Sequence, residues 1–93
     1  MYSSAYVWAK VLGNMESRLT PAVISTWFDD AEILELTDTK LVLYSPSSFR
    51  KDIILRRCTD YIKDAMRDEF QMEVDLEVID DTEIDAYREN RGN

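Results

Sequence analysis

The spacing of apolar residues changes along the chain, and this change constrains the fold more than any other feature of the sequence. Apolar side chains in residues 4–19 recur every three or four positions, as they do on one face of a helix. Those in residues 73–79 alternate with acidic side chains, which is typical of a strand with one buried face. Together the patterns predict helices over residues 4–19, 21–29 and 49–70, and strands over residues 31–36, 40–44 and 73–79.

The order of these elements, α-α-β-β-α-β, predicts an α+β fold. With 93 residues the chain has room for one small domain. Residues 37–39 separate the first two strands and are short enough for an antiparallel hairpin. The simplest packing places three helices on one face of a small three-stranded sheet. Trp27 would then lie in the core, because it shares a helix face with Ile24 and Phe28.

The last segment, residues 80–93, differs from the rest of the chain. It holds five acidic and two basic residues and little beyond Ile84 and Tyr87 that could be buried. Such a composition favours a solvated segment over packed structure. The sequence therefore predicts a folded domain over residues 1–79 and an acidic, flexible linker or tail over residues 80–93.

The side chains on which most enzymes depend are scarce. The chain has no His, which removes the commonest general base and metal ligand, and its one cysteine, Cys58, lies within the apolar face of the third helix. A buried thiol of this kind is a core residue far more often than a nucleophile. Gly13 and Gly92 are too far apart to build a phosphate-binding loop. We therefore expect no catalytic residue, no metal site and no cofactor in this chain.

The charge balance argues against tight binding to DNA. Lys and Arg number 11 against 19 Asp and Glu, a net charge of −8, whereas phosphate neutralisation needs a basic surface. An acidic chain points to protein partners or simply to solubility. No stretch approaches the ~18 apolar residues of a membrane span. A lone cysteine suits a reducing compartment, so we expect a cytoplasmic protein without a membrane partner.

Phe49 stands out at the start of the third helix. The main apolar face of that helix includes Ile54, Cys58 and Ile62, and at 100° per residue Phe49 falls almost opposite to it. Its ring is therefore expected to point away from the sheet. Two explanations remain open: the ring packs against the first or second helix, or it is an exposed anchor for another protein.

Basic residues cluster near the same helix start. Arg50, Lys51, Arg56 and Arg57 fall within eight residues, with Asp52 as the only acid among them. They form either a solvated helix face or a local patch for an acidic partner or for single-stranded nucleic acid. In an acidic domain any nucleic-acid contact would be weak and sensitive to salt.

Several short motifs, in this order and spacing, resemble the N-terminal domain family of the bacterial replication initiator DnaA. The resemblance covers residues 5–79. The motifs are the opening Trp8 and Leu12, Leu19-Thr20, Ser25-Thr26-Trp27-Phe28, the strand from Leu41 to Pro46, and Phe49 followed by Asp52.

The resemblance implies a fold similar to a K-homology domain, with the same α-α-β-β-α-β order. The GxxG loop with which true K-homology domains clamp nucleic acid is missing here. In this family the domain is an interaction hub that self-associates, helps to load the replicative helicase and receives regulators of initiation. The sequence thus resembles a protein-interaction domain that acts at the replication origin.

Individual residues take their expected roles from the same resemblance. Trp8 matches a position associated with self-association, which implies a weak homo-oligomer. Phe49 matches a position of helicase and regulator contact, and Ser47 and Arg50 match positions of regulator binding. Val23 stands where some members carry a glutamate that contacts the helicase.

Members of this family continue into an ATP-binding AAA+ module and a helix-turn-helix that reads origin DNA. Binding of ATP and of origin DNA would therefore belong to the parent protein. Two alternatives remain open for this chain. One is a K-homology-like module that binds single-stranded nucleic acid weakly, through Arg50, Lys51, Arg56 and Arg57. The other is a stand-alone regulator that interferes with assembly of the initiator.

Overall fold

A computed structural model describes residues 2–92 and contains the predicted order of elements, followed by one more helix. The third predicted helix is continuous, but a π-helical turn at Ile54–Cys58 divides it into two α-helical parts. The elements are α1 (Ser4–Met15), α2 (Pro21–Phe28), β1 (Glu32–Leu36), β2 (Lys40–Tyr44), α3 (Ser48–Ile53), α4 (Thr59–Phe70), β3 (Asp75–Ile79) and α5 (Ile84–Gly92). The predicted α+β class is confirmed.

The sheet has the strand order β1-β2-β3, with β1 antiparallel and β3 parallel to the central strand β2. A bulge interrupts the β1–β2 register between Ile33 and Glu35. The extra residue turns Glu35 toward the same face of the sheet as Val42, its partner on β2. Without the bulge, the strand alternation would direct this carboxylate into the main core.

Side-chain caps explain where the helices begin. Ser3, Thr20 and Ser47 each accept a hydrogen bond from a backbone N–H in the first turn of α1, α2 and α3, at 3.1, 3.2 and 3.2 Å. Pro21 occupies the first position of α2, where a missing N–H costs nothing. Helix α1 ends at Met15, earlier than the predicted residue 19, and the chain turns there before the extended residue that precedes Pro21.

The main core lies between the sheet and the first three predicted helices. Its fully buried members include Val11 and Met15 of α1, Leu41 and Leu43 of β2, and Ile62 of α4. The π-helical turn keeps Ile54 and Cys58 in this core, and Thr59 donates its hydroxyl to the carbonyl of Leu55 at 2.8 Å. Helix α4 ends at Phe70 and is followed by Gln71, whose φ of 55° is the left-handed conformation typical of the residue after a helix.

Helix α5 corrects the prediction of a flexible tail. Ile84 packs with Val42 and Ile79 in a second, smaller core on the opposite face of the sheet, and Tyr87 packs against it. The Tyr87 hydroxyl also donates a hydrogen bond to the Glu35 carboxylate at 2.7 Å. Ile84 and Tyr87 lie three residues apart and so share one helix face. Since β2 is apolar on both faces, its outer face needs a cover, and α5 provides it.

Candidate protein-interaction site

Two neighbouring helices present an apolar patch, which we define as Val23, Trp27 and Phe49. The Phe49 side chain is 67% exposed, and its ring centroid lies 6.1 Å from that of Trp27, with the two planes tilted by 50°. Val23 is 38% exposed and precedes Trp27 by one helical turn, so the two lie on the same face of α2. The patch is therefore built from α2 and from the first turn of α3.

Local sequence explains why Phe49 points outward. Ser47 caps α3 through the amide of Arg50, which sets the first turn, and Ile54 and Cys58 are buried in the main core, which sets the rotation of the helix. Phe49 is left on the opposite side, so its predicted direction is confirmed. The ring contacts Trp27 of the second helix, as the first explanation predicts, and two thirds of its surface remain exposed. Its role as an anchor for another protein stays a prediction.

An ion pair borders the patch. The Arg50 guanidinium lies 3.0 Å from the Asp30 carboxylate, which joins the first turn of α3 to the turn that follows α2. Both side chains remain partly solvated, so the pair adds little to stability but places one charge of each sign beside exposed apolar rings. An apolar centre with a charged, solvated rim is the usual composition of a protein-binding surface.

The other predicted basic residues do not form an unpaired cationic surface. Lys51 pairs with Glu83, and Arg56 pairs with Asp52 at 3.2 Å. Arg57 is exposed on the same stretch of helix. Because Arg50 is paired with Asp30 as well, three of the four predicted nucleic-acid contacts face a carboxylate, which weakens their attraction for phosphate.

Trp8 lies in the core rather than at the surface. Its side chain is 7% exposed, and its ring meets that of Phe28 edge-on, with centroids 5.7 Å apart. The outer edge of the ring contributes to a groove of about 430 Å³ between α1 and β1, together with Ala9 and Leu12. Any contact with a second copy at this position would therefore involve mainly the neighbours of Trp8.

Across residues 2–92, no group of three or more Cys, Asp or Glu side chains is placed to hold a metal ion. Burial raises the pKa of the Cys58 thiol, which favours its unreactive protonated form at neutral pH. None of the helices described here is both long and apolar enough to cross a membrane.

Sequence reasoning missed Trp27 and Asp30 as parts of this site. Trp27 was expected in the core, and it does pack against core residues, but one edge of its ring also supports Phe49. The available signal was the spacing of Val23 and Trp27, which are one turn apart and both apolar. Asp30 could not be found in this way, because its pairing with Arg50 spans 20 residues.

The fold and this surface define a class: a small α+β domain of α-α-β-β-α-β order that carries a partly exposed apolar patch with a charged rim. The family model described as "DnaA N-terminal domain" matches residues 5–68, well over half of the chain. The chain therefore belongs to the DnaA N-terminal domain family, and the predicted resemblance is confirmed. Helix α5 lies beyond the segment that this family model matches.

Curated relatives agree with this assignment. The chain is 29% identical over 83 residues to the chromosomal replication initiator protein DnaA of Thermoanaerobacter sp. (strain X514), and 28% identical over 83 residues to that of Caldanaerobacter subterraneus subsp. tengcongensis. Each match covers 89% of this chain but 18% of the relative. The chain thus spans less than a fifth of the length of these replication initiators.

Proposed function

We propose that this domain is a protein-interaction module of a replication initiator, and that the apolar patch docks the replicative helicase or a regulator of initiation. The observation that carries the proposal is that Phe49 is 67% exposed while its ring lies beside that of Trp27. Large exposed aromatic side chains that rest on a second ring provide rigid contact area with little entropy left to lose. Such residues are typical anchors of protein interfaces.

The size of the patch favours weak binding by a single domain. Three apolar side chains cover far less than the ~800 Å² per partner of a standard stable interface. Weak binding suits an assembly in which several initiators lie side by side on DNA, because linked copies raise the effective concentration of the second contact. In bacteria such an assembly works in the cytoplasm, and the binding of ATP and of origin DNA would belong to other parts of the initiator.

Substitution of Phe49 by Ala tests the proposal. Truncating an interface anchor costs ~1–3 kcal/mol, so we expect the dissociation constant for the purified replicative helicase of the same organism to rise about 5- to 150-fold. The free energy of unfolding should change by less than ~1 kcal/mol, since the ring is mostly solvated. Titration calorimetry and urea unfolding measure the two quantities on the same protein.

Tyr2→Ala is the matched control. Tyr2 is an aromatic residue of similar exposure, 64%, and it stacks on Tyr6 rather than on α2 or α3. We expect this variant to bind the helicase like the wild type. Equal losses for both variants, or unfolding of Phe49→Ala, would contradict the assignment of the patch.

The nucleic-acid alternative has its own test. Because Arg50, Lys51 and Arg56 are paired with carboxylates, we expect a labelled single-stranded oligonucleotide to bind weakly at low salt and to dissociate at moderate salt. Binding that survives moderate salt and decreases in Arg57→Ala would favour the nucleic-acid module over the protein-docking patch.

Self-association is proposed for a different surface, the side of α1 that borders β1. The groove beside Trp8, lined by Ala5, Ala9 and Leu12, is an apolar surface that includes the residue to which the family resemblance assigns this role. Ala9 is exposed, so Ala9→Glu adds a charge to the groove without disturbing the core. We expect sedimentation equilibrium to show a weak dimer that this variant loses. A pure monomer at millimolar concentration would contradict the proposal.

A further inference from the structure

The chain between β3 and α5 contacts the segment that leads into α3. The amide of Ser45 donates to the carbonyl of Ile79 at 2.9 Å, and the amide of Asp81 donates to the carbonyl of Pro46 at 3.1 Å. The Tyr44 hydroxyl also donates to the Asp81 carboxylate. Ile79, just before the turn at 80–83, and Asp81, within it, are therefore tied to the loop that presents Ser47 and the first turn of α3.

Glu83 extends this contact to α3 itself. Its carboxylate pairs with the ammonium group of Lys51, whose side chain is only 23% exposed. The Lys51 amide donates to the carbonyl of Ser47 at 2.9 Å, so Lys51 belongs to the turn that carries Phe49. Part of the ion pair is thus shielded from water, which makes it stronger than a fully exposed pair.

Hydrogen bonds within the turn hold Glu83 in place. The amide of Asp80 donates to the Glu83 carboxylate at 3.2 Å, while the Asp80 carboxylate accepts from the amide of Thr82 at 2.9 Å. Asp80 is 4% exposed, and its pKa is lowered chiefly by the hydrogen bond from the Thr82 hydroxyl. These bonds resemble a capping box, with the Glu83 carboxylate reaching back to the Asp80 amide in the turn that precedes α5. The carboxylate that pairs with Lys51 is therefore held by the turn that leads into α5.

We infer that the turn of residues 80–83 supports the first turn of α3, and that Glu83 is a positioning residue that holds Phe49 in the geometry required for partner binding. The inference rests on the proposed function of the apolar patch. It links two parts of the molecule: the turn that leads into α5 and the first turn of α3, which loosens when Lys51 loses its partner.

Glu83→Gln separates the ion pair from the cap, because the amide oxygen still accepts from Asp80 while the negative charge is lost. We expect amide hydrogen exchange at Arg50 and Lys51 to accelerate roughly two- to fivefold, the contribution of a partly exposed ion pair. The dissociation constant for the purified replicative helicase should rise by a similar factor. Exchange of the buried β2 amides should not change.

Glu77→Gln is the matched control. It makes the same charge change and breaks the pair with Lys40, at 3.1 Å, on the sheet away from α3. We expect it to leave both the exchange at α3 and the helicase affinity unchanged. In a double-mutant cycle, Lys51→Met combined with Glu83→Gln should have no more effect than either substitution alone, because both remove the same pair.

The outcomes separate this inference from the proposed function. Unchanged exchange at Arg50 and Lys51 in Glu83→Gln would overturn the support by the turn. Faster amide exchange in every element would mean that Glu83 stabilises the whole fold and not α3 in particular. That result would also overturn the inference. If Phe49→Ala weakens helicase binding, while Glu83→Gln accelerates amide exchange without weakening binding, the positioning role of Glu83 is overturned. Docking at the apolar patch then stands. If Phe49→Ala has no effect on binding, docking fails, and the exchange data still decide whether the turn supports α3.

Discussion

Two pairs of aromatic rings, similar in geometry, differ in their surroundings. Trp8 and Phe28 lie 5.7 Å apart and are almost fully buried, whereas Trp27 and Phe49 lie 6.1 Å apart with Phe49 mostly in water. The gain from ring-to-ring contact is similar in the two pairs, but only in the first are both rings removed from solvent on folding. The comparison indicates that the buried pair stabilises the fold, while the exposed pair keeps its surface available for a partner.

The largest expected effect comes from the buried pair. Trp8→Ala removes a core ring and leaves a cavity, so we expect the free energy of unfolding to fall by about 3–5 kcal/mol. Phe49→Ala, measured beside it by urea unfolding, should change this quantity by less than ~1 kcal/mol. Comparable losses in the two variants would remove the distinction between the pairs. The size of the first loss also means that Trp8→Ala cannot serve as a clean test of self-association.

The second core, beneath α5, should be the next most sensitive region. Ile84 is only 8% exposed and packs against Val42 and Ile79. Ile84→Ala should therefore lower the free energy of unfolding by about 2–5 kcal/mol, as truncation of a buried Ile does. Glu89→Ala, at an exposed position of the same helix, is the control and should stay within ~0.5 kcal/mol. An equally small effect at Ile84 would mean that the segment after β3 is a flexible tail.

A smaller, pH-dependent effect should arise where α5 meets β1. The hydrogen bond from Tyr87, together with the nearby charges of Arg91 and Lys40, lowers the pKa of Glu35 below its ordinary value of 4.5. A carboxyl group whose pKa is lower in the folded state contributes stability above its unfolded-state value and loses it as the pH falls through the folded-state value. Ionised Glu35 therefore stabilises the fold at neutral pH.

Urea unfolding of the wild type and of Glu35→Gln from neutral pH to well below 4.5 checks this sign. We expect the wild type to be the more stable protein at neutral pH and the difference to shrink in acid. Tyr87→Phe, which removes the hydrogen-bond donor, should reproduce most of the loss at neutral pH. A difference that grows as the pH falls would contradict the role assigned to the ionised carboxylate.

The sequence predicted local features well. The apolar face that includes Ile54 and Cys58 determines the rotation of α3 and α4, and hence the outward direction of Phe49. The caps at Ser47 and Thr20 are equally local, because each hydroxyl accepts from an amide three residues away. Elements and their order follow from such short-range patterns.

Long-range contacts are what the sequence could not predict. The pairing of Lys51 with Glu83 spans 32 residues, and no spacing rule connects them. The apolar run along β2 did contain a signal, because a strand buried on both faces needs a cover on each. If all three predicted helices lie on one face of the sheet, Val42 on the other face is left uncovered. An apolar residue left in water in this way is a sign that a further element covers it. The acidic composition after residue 80 concealed that α5 is this element.

The two tryptophans allow the most direct test of the docking site, because the chain contains no others. In a ¹⁵N-labelled sample, Trp8 and Trp27 each give one indole N–H signal, and substoichiometric replicative helicase can be added while both are observed. We predict that the Trp27 signal shifts and that the Trp8 signal does not, since Trp27 supports Phe49 while Trp8 is buried against Phe28. A shift confined to Trp8 would contradict partner docking at the apolar patch.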